Sequence, residues 1–183
     1  MNIDVSSGLV TDAQQVISAN HDLRPDETDI SLIVIHGISL PPGEFGNDYI
    51  VQLFTNELNP DDHPYFKEIE GLKVSSHILI KRDGELIQFV PLNKRAWHAG
   101  VSSYNKRENC NDFSVGIELE GTDELAYTDI QYQVLAELVN SLIQTYPSLS
   151  EQTIAGHSDI APGRKTDPGR AFDWQRLDTL LSG

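Results

Sequence analysis

The stretch S-L-I-V-I-H-G, residues 31–37, is a short apolar run rich in β-branched residues and closed by glycine. Such a run suits a strand buried on both faces, which belongs inside a sheet covered by helices, and it places His36 at the strand's C-terminal end. Outward from it, F-S-V-G-I-E-L-E-G at 113–121 alternates instead: Val115, Ile117 and Leu119 share one face, and Ser114, Gly116, Glu118 and Glu120 share the other. S-S-H-I-L-I-K-R-D-G-E-L-I-Q-F-V-P at 75–91 reads as two strands turning at Arg82-Asp83-Gly84-Glu85, because Asp-Gly tolerates the positive dihedrals of a tight hairpin.

Helical periodicity is strongest over 129–146, where Ile130, Val134, Leu138 and Leu142 recur beside Leu135, Val139 and Ile143. Thr128 and Gln131 form a capping-box start and Pro147 a stop. A second helix near 173–182 follows an Asp173 cap and carries Trp174, Leu177 and Leu181 as its apolar stripe. Together these elements predict an α/β fold: one domain over 1–183, with a central mixed sheet flanked by helices and ligands bound at the strand ends.

The 183 residues carry 13 Lys and Arg against 28 Asp and Glu, a formal net charge of -15. That field repels nucleic acid and anionic membrane surfaces, so neither is an expected partner. The N-terminal stretch has no signal-like run, and no stretch of ~18 consecutive apolar residues occurs. A cytoplasmic location is therefore expected. Cys110 is the single cysteine, so no internal disulfide forms, and it reads as a small packed hydrophobe rather than a nucleophile.

Near the end of the chain, A-G-H-S-D-I-A-P-G-R-K-T-D-P-G at 155–169 holds His157, Lys165 and Asp167 among residues that discourage helix and long strand, and we read it as irregular. The chain has no G-x-S-x-G elbow, H-E-x-x-H helix or C-x-x-C pair. A histidine at a strand end with His157 and Asp167 makes a three-ligand set, which leaves a fourth tetrahedral position open as in catalytic zinc; such zinc brings the pKa of a water to roughly 7. Spacing leaves three candidates for the upstream ligand, His36, His77 and His98, whereas His21 and His63 read as exposed turn residues. Glu118 could take a proton from an attacking water, and Lys165 could stabilise an oxyanion. Equally, Glu118 could be a solvated strand residue, and Lys165 a surface charge paired with Asp159 or Asp167.

L-I-V-I-H-G-I-S-L-P-P-G-E-F-G, the 75–91 hairpin, R-A-W-H-A-G-V-S-S-Y, C-N-D-F-S-V-G-I-E-L-E-G-T-D-E-L-A-Y-T-D and G-H-S-D-I-A-P-G-R-K-T-D-P-G-R-A-F-D-W resemble, in order and spacing, the AmpD-type N-acetylmuramoyl-L-alanine amidases. These are cytoplasmic zinc enzymes of peptidoglycan recycling, related to T7-type lysozyme and the peptidoglycan recognition proteins. The resemblance runs from about residue 20 to 176. It implies that His36, His157 and Asp167 bind zinc, that Glu118 and Lys165 are the catalytic pair, and that Trp97 lies in the muramoyl pocket. The chain departs from the family at Gly37, where close relatives carry Asn, and at Asn109, where they carry Arg. The implied substrate is a soluble muropeptide, whose peptide carboxylates Arg107 or Arg164 would meet, and the implied state is a monomer. Some relatives of the fold bind muropeptide without cutting it; loss of a metal ligand would mark that alternative, and none is lost here.

Overall fold

Residues 1–183 are described by a computed structural model. Its centre is a six-stranded mixed sheet. Numbered in chain order, the strands are β1 (Gln14–Gln15), β2 (Leu32–Ile38), β3 (Ile78–Ile80), β4 (Leu86–Gln88), β5 (Ser114–Glu120) and β6 (Ile154–Gly156), laid side by side as β6-β2-β5-β3-β4-β1. Only β3 and β4, the two arms of the expected hairpin, run antiparallel. Gly84 turns that hairpin with φ of 88°, a value glycine adopts without steric cost.

The helices are α1 (Tyr49–Thr55), α2 (Asp129–Thr145), α3 (His157–Ile160) and α4 (Trp174–Leu181). Helix α2 starts where Thr128 accepts from the Gln131 amide while the Gln131 side chain accepts from the Thr128 amide, a cap that contributes about 1 kcal/mol. Helix α4 starts at Asp173, whose carboxylate accepts from the Arg176 amide.

Leu135, Leu138, Val139 and Leu142 of α2 and Leu177 and Leu181 of α4 cover the odd-numbered face of β5, Val115, Ile117 and Leu119. Across the sheet, Ile50, Leu53 and Phe54 of α1 pack with Leu79, Ile87 and Phe89. Three layers result, and every residue of β5 is buried. The even face of β5 therefore puts Ser114, Gly116, Glu118 and Glu120 under cover rather than in solvent. Its parallel partner β2 sets Glu118 directly opposite His36 and Gly116 opposite Val34.

The 155–169 segment is less irregular than its glycines and prolines suggest. It begins as the end of β6 and continues into the single turn α3. The Asp159 carboxylate accepts from the Gly156 amide at 2.7 Å, tying off that turn where helix propensity is poor. His21 and His63 are also not exposed turn residues: His21 lies in a short strand (His21–Leu23) paired with Lys94–Ala96, and the His63 ring accepts from the Tyr65 amide to cap a 3-10 turn.

Candidate metal centre and active site

Parallel pairing of β2 and β6 carries two strand ends to one place. His36 leaves the end of β2, and His157 follows directly on β6, whose Gly156 lies opposite Ile35. Asp167 returns to them because its carbonyl accepts from the Ser158 amide at 2.9 Å. The Tyr127 hydroxyl donates to the next carbonyl, that of Pro168, at 2.9 Å. It takes the space beside Gly37, where an added Cβ would stand 2.3 Å from it.

The three side chains meet through their ligand atoms. His36 Nδ1 and His157 Nδ1 are 2.9 Å apart, and Asp167 Oδ2 is 3.3 Å from the first and 3.0 Å from the second. His157 Nε2 faces the Ala99 carbonyl at 3.2 Å; a carbonyl only accepts, so the ring proton belongs on Nε2 and the inner Nδ1 is a bare lone pair. Both rings are buried, and burial pushes His36 down to about 4, which keeps it neutral. Two imidazole nitrogens and a carboxylate aimed at a common point form a donor set for a divalent cation, and their ligand atoms lie within 4.8 Å of one another.

Sequence spacing left His77 and His98 as competitors. His77 is fully buried behind the site, with Nδ1 accepting from the Gly116 amide at 3.0 Å and Nε2 facing the Lys94 carbonyl at 3.0 Å. His98 stands between, its Nδ1 2.9 Å from His36 Nε2. Neither presents a free nitrogen to Asp167.

Glu118 is buried beside the set, Oε1 lying 3.9 Å from His36 Nδ1. Burial pushes its carboxyl well above the usual carboxylate range, and the Asp167 charge adds to this while the Lys165 ammonium pulls the other way. It is not a solvated strand residue. Lys165 is exposed at the rim and forms no ion pair with Asp159 or Asp167, so its charge is available to a ligand. A cleft of about 220 Å³ joins these groups, with Trp97 and Leu53 among its walls.

Two arginines fare differently. Arg164 lies in an adjoining open groove of about 400 Å³ with Ser102 and Asn109, its Nη2 donating to the Ala99 and Val101 carbonyls. Arg107 is not brought to either cavity: its guanidinium pairs with Asp29, donates to Ser31 Oγ at 3.1 Å and stacks on the Phe113 ring at 3.7 Å. That ion pair and ring contact occupy the charge expected to serve a substrate. Cys110 is buried beside Leu32 and Val34, and burial pushes its thiol up, away from the thiolate a nucleophile needs.

The N-acetylmuramoyl-L-alanine amidase family matches residues 26–170. The chain belongs to that family. Over 175 residues this amidase is 58% identical to the 1,6-anhydro-N-acetylmuramyl-L-alanine amidase AmpD of Salmonella typhimurium, covering 96% of this chain and 93% of that protein. A crystal structure of a selenomethionine AmpD derivative is similar to it at a TM-score of 0.95 and 57% identity, covering 99% of each chain. The Escherichia coli amidase AmiD in complex with anhydro-N-acetylmuramic acid-L-Ala-D-gamma-Glu-L-Lys is similar at a TM-score of 0.60 and 28% identity, over 83% of this amidase and 57% of AmiD. No helix of the amidase is long and apolar enough to cross a membrane.

Proposed function

We infer that this amidase is zinc-dependent and cleaves the bond between the lactyl group of 1,6-anhydro-N-acetylmuramic acid and L-alanine in soluble muropeptides, working as a monomer in the cytoplasm. The observation that carries the chemistry is the convergence of His36, His157 and Asp167 beside a buried, otherwise unpaired Glu118. Zinc bound by this set supplies Lewis acidity, making water acidic enough to ionise near neutral pH and drawing electron density from a carbonyl oxygen. Glu118 takes the proton of the attacking water and hands it to the departing alanine amine, since its burial raises its proton affinity towards the range useful at neutral pH. Lys165 holds the negative charge that develops on the lactyl oxygen. Trp97 covers the apolar face of the sugar, and Arg164 meets the peptide carboxylates in the adjoining groove.

The anhydro-sugar preference is supported by the name and ligand of the relatives above. Metal analysis of protein purified without chelator, with turnover of anhydro-muramoyl tripeptide before and after chelation, tests the reading. About one zinc per chain, with activity lost on chelation and restored by zinc, is expected. Full turnover by metal-free protein would overturn it, and binding without turnover by zinc-loaded protein would make the chain a recognition module.

A further inference from the structure

The outer nitrogen of His36 does not end in solvent or on a carboxylate, the usual partners of a ligating histidine. It enters a chain of three contacts running down the even face of β5: His36 Nε2 to His98 Nδ1 at 2.9 Å, His98 Nε2 to Ser114 Oγ at 3.1 Å, and Ser114 Oγ to the Cys110 carbonyl at 2.6 Å. Chemistry gives this chain one direction. A carbonyl oxygen only accepts, so the proton of Ser114 is committed to Cys110. Ser114 Oγ is then left to accept, and the His98 proton stands on Nε2. Bare Nδ1 of His98 must in turn accept from Nε2–H of His36. A neutral His36 ring with its proton there has a bare Nδ1, the atom facing His157 and Asp167.

We propose that Ser114, acting through His98, is a positioning residue that fixes the His36 tautomer and thereby sets the affinity of the metal site. The strand is shaped for it. Ser114 is fully buried, and Gly116 leaves the space that the His98 ring fills, since a Cβ there would stand 2.5 Å from His98 Cγ. Without the hydroxyl, His98 can carry its proton on Nδ1 and donate a hydrogen bond to His36 Nε2, which leaves the single His36 proton on the inward Nδ1, where it blocks the metal.

The proposal rests on the zinc reading, and two measurements on the full chain keep the two apart. Zinc competition against a chromophoric chelator should show Ser114→Ala binding about 10- to 100-fold more weakly than wild type, the range typical of lost outer-shell partners. Ser76→Ala, which removes an equally buried hydroxyl bonded to the Gly116 carbonyl, should bind like wild type. Nitrogen-15 NMR of the metal-free wild type should place the His36 proton on Nε2, with both tautomers present in Ser114→Ala. Equal zinc affinity of Ser114→Ala and wild type, an equal loss in Ser76→Ala, or a wild-type His36 proton on Nδ1 would overturn the proposal. If wild type binds no zinc the zinc reading fails, and the His36 spectrum still judges the relay. Should Ser114→Ala not fold, that wild-type spectrum decides alone.

Discussion

Lowering the pH from 7 to 5 should unfold this protein far more readily than its carboxylates account for. His77 is fully buried, and burial followed by the nearby Arg24 charge pushes it down to about 3 from its ordinary 6.5. Protonating it would also set a new N–H against the Gly116 amide it now accepts from. In the unfolded chain the same ring titrates near 6.5, so below that pH the unfolded state binds one more proton than the folded state. Stability is then fully present above about 6.5 and is lost as pH falls, until the folded ring itself protonates near 3. One proton gives a slope of about 1.4 kcal/mol per pH unit, or roughly 2 kcal/mol between 6.5 and 5. His98 shows an edge to the cleft, yet burial lowers it well below its ordinary value too. It therefore adds to the loss in the same direction, and the His77 share alone is a sizeable part of the 5–15 kcal/mol that holds a typical domain folded. Urea denaturation at pH 7, 6 and 5, in chelator throughout so that metal release does not contribute, measures the slope. Stability constant to within about 1 kcal/mol over that range, or His77 imidazole resonances titrating near 6.5 in the folded protein, would refute the reasoning.

Three further outcomes are expected. Glu118→Ala should keep its zinc and lose roughly a hundredfold or more in kcat, whereas Glu120→Ala should keep its rate but lose about 3 kcal/mol in urea denaturation, because the Glu120 carboxylate accepts from the Gly46 and Arg82 amides at 2.8 and 3.0 Å. Lys165→Met should shift the acid limb of kcat/KM to higher pH, since the ammonium is the group that pulls Glu118 down; a limb that stays or moves lower contradicts that pairing. Iodoacetamide should leave turnover unchanged in the folded protein, as Cys110 is buried and held protonated; rapid inactivation by alkylation at Cys110 would favour a thiol mechanism.

Strands β2 and β5 and helix α2 were legible in the sequence because each is long enough to show a period and is bounded by a cap, turn or proline. Strands β1 and β6, two and three residues long, show none, and α3 is one turn fixed by the Asp159 contact rather than by propensity. The ligand types were legible at the site, but the choice among His36, His77 and His98 was not, because all three lie in or near strands and only strand register separates them. The surroundings of Arg107 were not legible for a similar reason: its partner Asp29 lies 78 positions away, a pairing that a lone cationic residue does not announce.

The even face of β5 does most of what makes this sheet a catalytic one. Successive even residues lie about 7 Å apart along a strand, so four tasks follow one another in a straight line. Ser114 anchors His98, Gly116 makes room for its ring, Glu118 stands beside His36, and Glu120 ties the 41–46 loop and the β3–β4 hairpin to the strand end. A slip of one residue in the β2–β5 pairing would turn Val115, Ile117 and Leu119 into the site and the carboxylates into the α2 core. The apolar odd face prevents that slip. The same alternation that buries β5 against α2 and α4 therefore also fixes the position of the catalytic carboxylate, and the core and the site cannot be set independently of each other.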